Sequence, residues 1–145
     1  MNNMMTYLWV AMLLLLPALA TAQGKPPRDK LLANKVFIVT LDPQDKKNKE
    51  PNIEKDELAF RSGKMGSRHM QQKEGFQPGE YVVHDAQDMD GDFILPFEGI
   101  NKNADGMSLK WEGTAFGGTI KGRCILSKNG KLKMEYRFEG VLKKK

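Results

Sequence analysis

The chain has 145 residues, with 23 lysines and arginines against 18 aspartates and glutamates, for a formal net charge of +5. This length corresponds to a single domain. Three of the positive charges stand in the final Lys-Lys-Lys, which leaves +2 for the rest of the chain and argues against a nucleic-acid partner. The single cysteine, Cys124, excludes an internal disulfide, so the stability must come from an apolar core.

The first 22 residues have the features of a secretory signal peptide. The apolar run from Tyr7 to Leu16 is too short to span a bilayer, and Ala20-Thr21-Ala22 is a small-residue cleavage site. We therefore predict that residues 1–22 are removed and that the protein is exported, either to the periplasm or into the medium. No membrane span would then remain. An uncleaved anchor is the alternative, because no lysine or arginine precedes the apolar run.

The first half of the remaining chain predicts a leader followed by strands and one short helix. Residues 23–33 contain a Pro-Pro pair that cannot join a central strand, so we predict a flexible leader there and a single β-barrel domain over 34–145. The β-branched and aromatic residues of 35–41 predict a strand. Residues 42–56 are polar and predict a long solvated loop. After a second strand, Ser67 is placed to cap a short helix near 68–74, which Gly75 would end.

An acidic segment at 85–92 separates two further strands and raises the question of a metal. Alternating carboxylates suit Ca²⁺, but an alignment with the EF-hand loop puts Ala86 and Phe97 where its acidic ligands belong. A polar hairpin turn explains the same residues. The prediction is therefore that the segment holds no metal.

The last three strands can be aligned from their turns. A two-residue Gly117-Gly118 turn sets Gly113 opposite Gly122 and keeps the apolar residues of both strands on one face. For the next hairpin, a three-residue loop over 128–130 preserves that face and would place Gly122 beside Tyr136. Inward glycines of this kind suit a sheet that must bend in order to close.

Seven or eight antiparallel strands with short turns predict an all-β, up-and-down barrel. A β-sandwich is the alternative, because 42–56 and 63–79 are long enough to be crossing connections. A barrel of this size is either packed solid or holds one small ligand.

One stretch of the second half carries a resemblance to a known group of proteins. From Trp111 to Gly122 the chain follows the pattern W-x-G-x-x-x-G-x-x-I-x-G. It resembles small exported bacterial β-barrel proteins of unassigned activity, over most of residues 34–142. The resemblance implies a barrel that is lipocalin-like in general form. It transfers no catalytic residue to this chain.

The polar and nucleophilic residues do not suggest an enzyme. The two histidines, His69 and His84, are expected at the surface, and Cys124 has apolar neighbours that offer no base. The basic residues around the short helix, Lys64, Arg68, His69 and Lys73, are typical of a solvated helix face. Because no nucleophile, acid and base converge, we predict no catalysis and no cofactor.

The function predicted from the sequence is the binding of an apolar or amphipathic small molecule. Inward-facing aromatic residues beside glycine gaps would line the pocket, and the candidates are Trp111, Tyr136, Phe97 and Phe138. The alternative is a solid-core envelope protein or protein-interaction module without a ligand. The volume inside the barrel distinguishes the two.

Overall fold

The computed structural model of the protein describes residues 31–45, 47 and 50–145. The predicted signal peptide and residues 23–30 of the predicted leader lie outside this range. Within it, nine strands and one helix follow one another along the chain. They are β1 Val36–Pro43, β2 Ile53–Arg61, β3 Lys64–Ser67, α1 Arg68–Glu74, β4 Gly79–Val83, β5 Gln87–Met89, β6 Asp92–Lys102, β7 Met107–Phe116, β8 Thr119–Lys128 and β9 Lys131–Leu142.

Eight of these strands close into an antiparallel barrel, which confirms the predicted fold class. Neighbours in the sheet are neighbours in sequence from β1 to β4 and from β6 to β9, and β1 also pairs with β9. The barrel closes where β4 pairs with β6, with Tyr81 opposite Gly99. The short β5 pairs with β6 alone, as an extra strand. One continuous sheet is the opposite of the two separate sheets that a sandwich needs.

The two ends of the barrel differ, and we name them by what they carry. At the terminal end the described chain enters at Leu31, β9 finishes at Leu142, and the β7–β8 turn lies nearby. Leu32, which the sequence analysis placed in the leader, is fully buried there. At the helix end, the backbone carbonyl of Glu74 in α1 accepts a hydrogen bond from the side chain of Asn103 in the β6–β7 turn (2.9 Å).

Helix α1 has the bounds that the sequence predicted. The Ser67 hydroxyl accepts a hydrogen bond from the Met70 backbone N–H (3.1 Å), and Gly75 ends the helix in the left-handed conformation. The preceding loop is shorter than predicted, because β2 begins at Ile53 rather than after residue 56. The reason is Asp56: it is buried, and its carboxylate accepts hydrogen bonds from the Ser67 hydroxyl and from the His69 N–H. A polar residue that caps a helix was mistaken for a loop residue.

The register of the last hairpin is a correction. The β7–β8 alignment is confirmed, with Gly113 opposite Gly122. Between β8 and β9, however, the loop is the two-residue turn Asn129-Gly130, with both residues at positive φ. A β-bulge in β9 compensates for the shorter turn. Leu126 pairs with Met134, but the next residue, Ser127, pairs with Leu132, so one residue of β9 is skipped. Gly122 therefore lies opposite Phe138 and not opposite Tyr136 as predicted.

Two phenyl rings cover the glycine pair inside the barrel. Phe97 of β6 pairs with Gly113, and Phe138 of β9 pairs with Gly122, so one row reads Phe–Gly–Gly–Phe across four strands. A Cβ on Gly113 would lie 2.8 Å from Phe138 Cζ and 3.0 Å from Phe97 Cζ. The two rings, whose centroids are 6.5 Å apart, therefore occupy the space that the glycines leave.

Candidate functional site

The four candidate residues from the sequence lie in the packed core. Trp111 is fully buried, and Phe97, Phe138 and Tyr136 are at most 6% exposed. The structure brings three of them together: the Phe138 ring lies 5.4 Å from Trp111 and 6.5 Å from Phe97, centroid to centroid. Phe60 then contacts Phe97 edge-on at 5.3 Å. These distances are those of aromatic rings in direct contact, so the rings fill the barrel instead of lining a space within it.

The polar end of Trp111 is satisfied inside the core. Its indole N–H donates to the side-chain oxygen of Asn101 (2.8 Å), and the Asn101 amide donates in turn to the Met65 carbonyl (2.9 Å). Asn101 is 2% exposed. Because the indole already has an acceptor, a ligand would have to break this network to reach it. Trp111 is therefore a structural residue in this arrangement.

Cys124 and Tyr136 are buried neighbours on adjacent strands. Burial raises the pKa of the Cys124 thiol well above its ordinary value, with a smaller contribution from the charge of Asp56. A thiol in this environment stays protonated at neutral pH and is a poor nucleophile. Burial also raises the pKa of the Tyr136 hydroxyl. The prediction that Cys124 is buried is confirmed.

The acidic segment folds as a hairpin. Strand β5 and the start of β6 flank an Asp90-Gly91 turn, and Asp88 accepts a hydrogen bond from the Gly91 N–H (3.1 Å). In the described part of the chain, no three histidine, cysteine or acidic side chains are grouped as metal ligands would be. His84 is exposed, and its ring lies 2.5 Å from a Glu98 carboxylate oxygen.

The basic residues near α1 are held partly by Glu57 on the outer face of β2. The Glu57 carboxylate accepts a hydrogen bond from the Lys143 ammonium (2.6 Å) and lies 3.5 Å from the Arg68 guanidinium. The Lys143 hydrogen bond is the largest cause of a lowered Glu57 pKa, against the opposing effect of burial. This contact ties the C-terminal segment to the wall of the barrel.

The Glu57–Lys143 pair should make stability depend on pH. Because the folded-state pKa of Glu57 is lowered, the pair stabilises the fold fully above the ordinary value of 4.5, and this contribution is lost as the pH falls through the lower folded value. It amounts to at most about 1 kcal/mol for a pair this exposed. We expect Lys143→Met to reduce the acid-dependent loss of the urea midpoint, and Lys144→Met to leave it unchanged. Equal acid profiles for native protein and Lys143→Met would contradict the pairing.

A cleft with apolar walls opens at the terminal end of the barrel. Its volume is ≈ 230 Å³, and its walls come from the chain entry, β1, the β5–β6 hairpin, the β7–β8 turn and the end of β9. The apolar lining residues are Leu31, Leu32, Phe37, Phe93, Leu95, Ala115, Phe116 and Leu142. Lys35 lies on one side of the rim and Asp92 on the other. Lys35 is exposed and makes no ion pair with any described residue.

A larger groove of ≈ 820 Å³ runs along the outside of β1, β9, β8 and β7. Charged side chains of both signs line it, and two of them form a pair in which Arg123 donates twice to one Glu112 oxygen (3.0 and 2.8 Å). The groove follows the bend at Gly113 and Gly122. Its mixed charge gives it no preference for an apolar ligand.

Sequence reasoning missed the terminal-end cleft. Phe93 was not among the candidate residues, and Leu31 and Leu32 were assigned to the leader. The sequence did contain one signal of this cleft: two adjacent leucines stand just before β1, and a flexible, solvated leader has no need of large apolar residues. The two leucines line one cleft with Phe116 and Leu142, which lie more than 80 positions further along the chain. Local patterning does not contain a relation over this distance.

No protein-family model, curated protein or solved structure matches this chain. The resemblance to small exported barrel proteins therefore stays a prediction. In the described part of the chain, no helix has the length and apolar content that crossing a bilayer requires.

Proposed function

We propose that this protein is exported and binds an amphipathic small molecule, with an apolar tail and an acidic head, in the terminal-end cleft. The observation that carries the proposal is the cleft itself, with eight apolar lining residues beside a lysine that no described residue pairs. Export rests on the signal-peptide pattern of residues 1–22. Mass spectrometry of exported protein should then show a chain that starts at Gln23, and an intact Met1 would contradict it.

The dimensions of the cleft limit the ligand. A volume of ≈ 230 Å³ is below the roughly 300–1,000 Å³ of pockets that enclose a drug-sized molecule. The cleft therefore suits one acyl chain or a single ring, with the head left in solvent. The ammonium of Lys35 offers a partner to an acidic head on the β1 side, whereas Asp92 repels one on the β6 side.

The filled interior favours the alternative, a solid-core interaction module without a ligand, over an interior pocket. The aromatic contacts around Phe138 leave the barrel interior packed at the place where a lipocalin-like ligand would sit. Both functions thus act through the surface. They differ in whether the terminal-end cleft takes up a small molecule.

Titration with decanoic acid as the probe, kept monomeric and followed by calorimetry, tests the proposal. We expect saturable binding near one probe per chain, weakened about tenfold in Phe116→Ser by lost apolar contact and in Lys35→Glu by repulsion of the head. Leu132→Ser is the matched control, because Leu132 is 65% exposed at the opposite end of the barrel. A native protein that binds no probe, or equal weakening by all three substitutions, would reject the cleft and leave the solid-core module.

A further inference from the structure

Exposed apolar side chains are concentrated at the terminal end. Eight large hydrophobic residues of the described chain are exposed, and five of them lie at this end. They are Met89, Phe93, Phe116, Val141 and Leu142, with exposures from 39% to 58%. Three of the five line the cleft. Scattered exposed apolar residues need no explanation, but a group of them at one end of a barrel marks an interaction surface.

Basic residues surround the same end on one side. Lys35 lies on the cleft rim. The backbone N–H of Lys143 donates a hydrogen bond to the Val36 carbonyl, so the next two residues, Lys144 and Lys145, continue from a point beside the start of β1. Arg61 and Lys64 face each other across the β2–β3 turn, both exposed and without an ion pair in the described chain. Like charges placed directly opposite on neighbouring strands are destabilising. Because Lys64 also lies opposite Glu80 on β4, an anionic partner would chiefly offset the exposed charge of Arg61.

Three acidic residues of this end lie on its other side, whereas Glu57 of β2 stands within the basic sector, paired with Lys143. Asp88, Asp90 and Asp92 belong to the β5–β6 hairpin, and β6 is separated from β1 by three strands in either direction around the barrel. The basic sector, made by β9, β1, β2 and β3, is therefore distinct from the acidic hairpin.

We infer that the terminal end docks on an anionic lipid bilayer, with the basic sector on the headgroups and Phe116 and Leu142 entering the interface. The inference rests on the proposed function, for which it names the source of the ligand: an acyl molecule in that bilayer would meet the cleft mouth directly. Basic side chains near an anionic membrane and apolar side chains at the headgroup boundary each strengthen such docking. A protein partner would not require the C-terminal lysines and the apolar cleft to share one face.

Sedimentation with vesicles tests the docking, with the chain from Gln23, which contains every strand of the barrel. We expect binding to vesicles of phosphatidylglycerol and phosphatidylcholine in equal amounts, little binding to phosphatidylcholine alone, and loss of binding at high salt. The double variant Lys144→Gln/Lys145→Gln should bind roughly 30-fold more weakly, from about fivefold for each lysine. Asp90→Asn should bind slightly more tightly. Phe116→Ser should weaken binding without changing its salt dependence.

The matched control is Lys128→Gln/Lys131→Gln, which removes the same charge from exposed positions at the helix end. It should retain more binding than the tail variant. Equal losses in the two double variants, or no binding to the anionic vesicles, would overturn the docking. If the protein binds the probe but not the vesicles, the docking is wrong and the cleft remains the proposed ligand site. If it binds the vesicles but not the probe, the docking is supported and the proposed function is rejected. A shift from dimer to monomer in Phe116→Ser, without vesicle binding, would instead assign this end to a second copy of the chain.

Discussion

Gly122→Val should destabilise the protein by about 3 kcal/mol or more, one of the two largest effects we expect from a single substitution. A Cβ at this position would overlap the Glu112 carbonyl oxygen and lie 2.5 Å from the Gly113 Cα. Both obstacles are backbone atoms of the neighbouring strand, so no rotamer change relieves the overlap. Strand β7 would have to move, which would disturb the Phe97 and Phe138 rings that pack over the glycine pair.

The adjacent residue supplies the control for Gly122→Val. Lys121 is exposed on the outer face, and Lys121→Val should change the free energy of unfolding by no more than about 0.5 kcal/mol. Urea unfolding followed by Trp111 fluorescence measures both, because Trp111 is buried in the native protein and Trp9 belongs to the predicted signal peptide. Equal midpoint shifts in the two variants would show that the assignment of inner and outer faces on β8 is wrong.

Asn101→Leu should destabilise the fold by about 3 kcal/mol. The substitution leaves two buried polar groups without their partner, the Trp111 indole N–H and the Met65 carbonyl. Each buried group that loses its hydrogen bond costs about 1–3 kcal/mol. The loss should appear as a lower urea midpoint with an unchanged slope, since the surface exposed on unfolding stays nearly the same.

A double-mutant cycle separates the hydrogen bond from the change in packing. Trp111→Phe removes the indole donor, so in combination with Asn101→Leu it abolishes one of the unsatisfied groups. The double variant should therefore be more stable, by about 1 kcal/mol, than the sum of the two single effects predicts. Strict additivity would mean that Asn101 and Trp111 do not share the hydrogen bond on which their burial depends.

Local signals predicted much of this fold because they act over a few residues. Ser67 and Gly75 bound α1 through contacts within the helix and its caps, and the Gly117-Gly118 turn aligns β7 with β8 through the alternation of their side chains. The same alternation predicted that Trp111, Phe97 and Phe138 face inward, as they do. Alternation determines which face a side chain takes but not how far along the strand its partner lies. A bulge preserves the face and changes the partner, which is why Gly122 was paired with Tyr136.

By itself, the sequence determined the strand alternation, the helix and its caps, the single-cysteine core and the all-β class, and it favoured a closed barrel over a sandwich. Tertiary structure alone decided that the interior is full, because filling depends on how Phe97 and Phe138 from separate strands meet over Gly113 and Gly122. It also decided where the surface is apolar. Leu31, Phe93, Phe116 and Leu142 come from four distant parts of the chain and meet only when β4 pairs with β6 and β1 with β9. A site assembled by barrel closure has no local pattern, since each of its residues belongs to a different strand or turn.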